Sequence, residues 1–97
     1  MQSCTERVKT LLRQYHSLRT LVKSGSGGDK LKAEVEFIEN AINALPESDY
    51  KVMLAVFVDK RSLRSVAKSF YMSHSGLRYK IEKTINEIAE LHKTVFS

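Results

Sequence analysis

The stretch Ser62–Ile85, SLRSVAKSFYMSHSGLRYKIEKTI, constrains this chain more than any other. Leu63, Val66, Ala67 and Phe70 recur at i, i+3, i+4 and i+7, the spacing of one buried helix face. Leu77, Ile81 and Ile85 form the stripe of a second helix, and Ser73 stands before it as an N-cap. Only Tyr71 and Met72 lie between the two, so the helices must cross rather than run side by side. Ala67 is small enough to let the second helix sit close. This spacing predicts a helix-turn-helix.

Charge gathers on the same stretch. Between residues 60 and 83 there are seven basic side chains and one acid, Glu82, a net +6. Residues 1–59 balance eight basic against eight acidic groups, and residues 84–97 come to −1. The chain's whole excess of +5 therefore falls on the helix pair. Such a balance favours a polyanionic partner, nucleic acid before an anionic membrane surface.

The remainder reads as helices around this pair. Residues 5–23 place Val8, Leu11, Leu12, Tyr15, Leu18 and Val22 on one face, and Ser3 with Glu6 has capping-box spacing. Ser24-Gly25-Ser26-Gly27-Gly28 reads as a flexible connector. Asp29 is the expected cap of a helix over roughly 30–44. Its apolar residues Leu31, Val35, Ile38, Ile42 and Leu45 step by four and three, a two-heptad seam suited to a hairpin with the first helix or to a second copy. Pro46 ends that helix and serves as an early residue of the next. Glu47 and Asp49 occupy this next helix's first turn, and Tyr50, Met53, Leu54 and Phe57 its buried face. Asp59 and Lys60 end it. After Ile85 no stop signal appears, and Ile88, Leu91 and Val95 extend the last helix. With no strand alternation anywhere, the expected class is all-α: an N-terminal helical hairpin over 1–45 and a three-helix unit with a long last helix over 46–97.

From Leu45 to Leu91 the chain resembles region 4 of bacterial sigma factors and related regulators. The segments that carry the likeness are LPESDYKVMLAVFV, SLRSVA, MS and SGLRYKI. With LLRQYHSLRTLV ahead of them, the whole is similar to small phage transcriptional regulators of the ArpU and RinA type, described as activators of late or packaging genes. The resemblance implies promoter DNA as partner, with RNA polymerase as a second one. Two residues depart from the pattern. Tyr71 stands where the turn usually has Gly, so the turn must change geometry or Tyr71 must accept strain. Gly76 stands inside the reading helix where Ser or Thr is usual, at a cost of roughly 1 kcal/mol against Ala.

A helix capped by Ser73 turns His74, Ser75, Arg78 and Tyr79 away from Leu77 and Ile81, toward a major groove. Arg78 is the best base reader, because its forked donors match O6 and N7 of guanine. Arg61, Arg64, Lys68, Ser73, Lys80 and Lys83 are the expected phosphate contacts, fixing register without reading sequence. Catalytic chemistry is not suggested. His16, His74 and His92 are far apart with no Cys or carboxylate at ligand spacing, so no metal or other cofactor is expected. Glu34, Glu36 and Glu39 read as one charged helix face, and Cys4 has no partner. The longest apolar run, Met53–Val58, is too short for a membrane span, and a cytoplasmic location without small-molecule ligand is expected. The reading is a sequence-specific regulator, a homodimer by hypothesis. Its rivals are a protein-interaction module and a ring-forming, small-terminase-like packaging subunit.

Overall fold

The computed structural model describes residues 4–96. Among them six α-helices form and no strand does: α1 (Cys4–Arg13), α2 (Tyr15–Lys23), α3 (Gly28–Asn43), α4 (Glu47–Met53), α5 (Leu63–Ser69) and α6 (His74–Phe96). Ser3, the proposed partner of Glu6 in a capping box, lies outside the described residues. No helix among the described residues is long and apolar enough to cross a membrane.

The single helix expected over 5–23 is two helices, broken at Gln14 (φ −106°, ψ 13°). No glycine or proline marks the break; packing accounts for it. α1 buries Val8, Leu11 and Leu12 and lies mainly against α6, whereas α2 lies mainly on α3. The Lys60 ammonium donates to the carbonyl of Arg13, the last residue of α1. The expected connector 24–28 is a compact turn. Gly25 takes φ +85°, a conformation easy only for glycine, while Ser26 N–H donates to Leu21 O (3.0 Å) and Gly25 N–H to Val22 O (3.1 Å).

α3 starts earlier than its sequence suggests. Gly27 is its N-cap, and Asp29 lies in the first turn, where its charge suits the helix dipole. Val35, Ile38 and Ile42 of the seam are buried, and Leu31 and Leu45 at its ends are half-buried. Pro46 caps α4 from outside the helix, its carbonyl accepting from Tyr50 N–H at 2.9 Å. α4 runs on through a π-helical turn, Leu54–Val58, where Asp59 N–H reaches back five residues to Leu54 O (2.9 Å). The wider turn rotates the buried face. Met53 is buried as expected, joined by Val52 and Ala55, while Tyr50, Leu54 and Phe57 are only half-buried.

α1, α3, α4 and α5 all pack on α6. Its 23 residues span about 35 Å at 1.5 Å each, comparable with the longest dimension of the molecule, 40 Å. Leu77, Ile81, Ile85, Ile88 and Ala89 supply its share of a single core that runs from Val8 in α1 to Val66 and Ala67 in α5. The last turns bury Ile88, Ala89 and His92, while Leu91 and Val95 face solvent.

Candidate nucleic-acid interface

α5 and α6 are fixed at their junction by local capping. Ser62 Oγ accepts from Ser65 N–H (3.1 Å) and starts α5. At its other end Tyr71 takes φ +55°, with Tyr71 N–H bonded to Lys68 O (3.3 Å) and Met72 N–H to Ala67 O (2.8 Å). This left-handed closure normally belongs to glycine, so the backbone keeps the usual turn and Tyr71 accepts the strain. Ser73 Oγ then accepts from Gly76 N–H (3.0 Å), and Leu77 N–H donates to Ser73 O (2.9 Å), which starts α6. A Cβ at Gly76 would lie 2.9 Å from that capping oxygen, so the bare Cα gives the cap its room.

Burial of Leu77, Ile81 and Ile85 beneath α6 fixes what faces outward. His74, Ser75, Arg78 and Tyr79 are all exposed, Tyr79 by 69%. Arg64 and Lys68 on α5 are exposed as well, as is Lys83 on α6. None of Arg64, Lys68, Arg78 and Lys83 makes an ion pair among the described residues. Arg61 is held differently: its guanidinium donates to the hydroxyls of Ser65 (2.9 Å) and Ser69 (2.5 Å), lying along the outside of α5. Lys80 is not a free cation, because it pairs with Asp49 at 2.6 Å and is partly covered. Ser73 keeps a hydroxyl proton to donate outward, its oxygen being used by the cap. Beyond Lys83 the outer side of α6 carries Glu87 and Glu90, so its cationic part ends within three turns.

Two features escaped the sequence. An open cleft of about 480 Å³ lies beside Arg78, lined by the charged Lys9, Arg13, Lys60 and Glu82 and by the apolar Val56, Phe57, Leu63, Ile81 and Ile85. Lys9 and Arg13 reach it because α1 folds back on α6, which no local signal reports.

The second is a buried polar cluster. Glu34, expected on a charged face, is only 2% exposed. Its carboxylate accepts two bonds from the Arg7 guanidinium (2.8 and 3.0 Å) and lies 3.1 Å from His92 Nε2. That places a ring proton on Nε2 and leaves His92 Nδ1 buried without a partner. Phe37 meets His92 edge-on at 5.6 Å between centroids, and Phe96 lies over the ring at 4.7 Å. The Arg7 hydrogen bonds hold the Glu34 carboxyl below its ordinary pKa against the opposing effect of burial, with His92 assisting. Glu34 in turn raises Arg7. The signal was present: Glu34 lies four residues before Ile38, and His92 four after Ile88, so both sit on the buried stripes. No group of three or more metal-ligating side chains occurs among the described residues.

Comparison with protein-family models, characterised proteins and solved structures finds no match for this chain.

Proposed function

We propose that this chain is a sequence-specific DNA-binding regulator, of phage or prophage origin by its likeness to sigma region 4 and ArpU-type proteins. α5 and α6 act as a helix-turn-helix that seats the first turns of α6 in a major groove. The observation that carries the reading is the open face of α6. Opposite Leu77 and Ile81, the side chains of His74, Ser75, Arg78 and Tyr79 are exposed, with Arg64, Lys68 and Lys83 outside ion-pair distance of any carboxylate among the described residues. In this pose Arg78 reads a guanine edge, and Arg64, Lys68 and Lys83 neutralise phosphates. Arg61 is pre-positioned along α5, while Lys80 reaches a phosphate only by leaving Asp49.

Selection of bound duplexes from a random-sequence pool tests this directly. The expected result is an enriched half-site; Arg78→Ala then loses discrimination at one base pair by about 1–3 kcal/mol. Equal losses on the selected and a scrambled duplex would remove Arg78 from base reading. Failure to enrich any sequence would remove the function.

One observation favours a second reading, a protein-interaction module of the kind that binds RNA polymerase. The cleft beside Arg78 combines an apolar lining with four cations and one acid, Glu82. Salt-insensitive binding to polymerase without duplex binding would favour this reading.

A further inference from the structure

We infer that Tyr71 is a register-fixing DNA contact, its phenol hydroxyl donating to a backbone phosphate at the rim of the groove that α6 enters. The inference rests on the DNA-binding reading and adds a residue to it.

Two non-glycine residues in the described chain have positive φ: Lys60 at 57° and Tyr71 at 55°. A side chain in this region clashes with its own backbone, and a bulky aromatic is among the least suited to it. Lys60 has a return inside the fold, since its ammonium bonds the Arg13 carbonyl at the end of α1. Tyr71 has none. Its side chain is 98% exposed, and its hydroxyl has no hydrogen-bond partner among the described residues. Neither turn geometry, which glycine would serve better, nor packing accounts for a tyrosine here.

Its position supplies a reason. Tyr71 stands two residues before the Ser73 cap, between the exposed end of α5, with Lys68, and the exposed start of α6, with His74 and Ser75. A duplex seated on the N-terminus of α6 brings a sugar–phosphate strand past this turn. Bases of a stacked duplex are closed to a ring at the groove rim, so the acceptors within reach are phosphate oxygens, and tyrosine is a neutral donor suited to them. Such a contact orients α6 in the groove without reading sequence.

The test uses the full chain with Tyr71→Gly and Tyr71→Phe, scored by thermal melting and by titration of a fluorescein-labelled, mixed-sequence duplex over a range of salt. Relief of backbone strain should raise the melting temperature of Tyr71→Gly by roughly 4–8 °C. Its duplex affinity should nonetheless fall, roughly three- to tenfold. Tyr71→Phe keeps the backbone and the ring, so it should melt like wild type and lose the same affinity. Neither variant should change the slope of log affinity against log salt, because no charge is removed. Wild-type affinity in Tyr71→Phe, or in the stabilised Tyr71→Gly, overturns the contact and leaves the DNA reading standing. A wild-type chain that binds no duplex sinks the DNA reading itself, and the Tyr71 contact with it.

Discussion

Replacing Arg7 by methionine keeps an aliphatic stem over α3 and removes the charge that faces Glu34. The carboxylate that remains is 2% exposed and retains only His92 Nε2 as a partner. Breaking a buried ion pair from one side costs about 3–5 kcal/mol, and the surviving His92 contact should hold the loss to about 2–4 kcal/mol at neutral pH. The converse change, Glu34→Gln, is milder. Arg7 is 35% exposed and can hydrate, and the new amide oxygen can still accept from it, so the expected cost is about 1 kcal/mol.

Acidity should separate the two variants further. In the wild type the Glu34 carboxyl is held below its ordinary value of 4.5, chiefly by the Arg7 hydrogen bonds. A depressed folded-state pKa contributes stability that is full above the unfolded value and lost as pH falls through the folded one. In Arg7→Met the main depressing contact is gone and burial remains, so the pKa of Glu34 rises and the folded variant can take up a proton. The gap between wild type and Arg7→Met should therefore be widest near neutrality and narrow below about pH 4.5, while the gap for Glu34→Gln should change less. Urea unfolding followed by helical circular dichroism at neutral pH and at about pH 4 measures both gaps. An Arg7→Met cost no greater than that of Glu34→Gln at neutral pH, or one that does not change with acidity, would refute this account of the buried cluster.

At the start of α6, Gly76→Ala should be nearly neutral in the wild type. A helix-propensity gain of about 1 kcal/mol is offset because the new Cβ, 2.9 Å from Ser73 Oγ, displaces the cap. In a Ser73→Ala background the same substitution should stabilise by about 1 kcal/mol, and equal effects in both backgrounds by urea titration would show that methyl and cap do not compete. Among the cations, Lys68→Ala should weaken binding to every duplex and lower the salt slope by about 1. Lys80→Ala should leave that slope nearly unchanged, since its ammonium already faces Asp49; a full unit of slope lost there would mean that the pair opens on DNA.

What the sequence disclosed depends on how far each determinant reaches along the chain. Ser62 and Ser73 cap helices through bonds to the N–H three residues on, and Leu77, Ile81 and Ile85 repeat within two turns, so these were legible. The outward face of α6 followed from that same stripe. Gln14 was not legible as a break because its cause lies elsewhere: α1 and α2 pack on different helices. The π-helical turn at Leu54–Val58 hides in an apolar run whose periodicity suits more than one helix type. Glu34 reads as a surface residue by type, whereas its place on the stripe of Ile38 and Ile42 puts it inside. Its partners Arg7 and His92 stand 27 and 58 residues away, and only the closed fold brings them together.

The fold also sorts its charges in a way that bears on the partner. Acids inside or beside the helical body are taken by specific cations: Glu34 by Arg7, Glu39 by Arg19, Glu47 by Lys51 and Asp49 by Lys80. Arg64, Lys68, Arg78 and Lys83 are left without a carboxylate, all on α5 or the first three turns of α6. Like charges on adjoining helices repel, and Glu82 and Glu87 are the acids nearest to them along α6. A surface kept unneutralised in this way is stabilised by whatever anion binds it. Under the proposed DNA-binding function, duplex DNA should raise the melting temperature of the free chain, by an amount that shrinks as salt competes for the same cations.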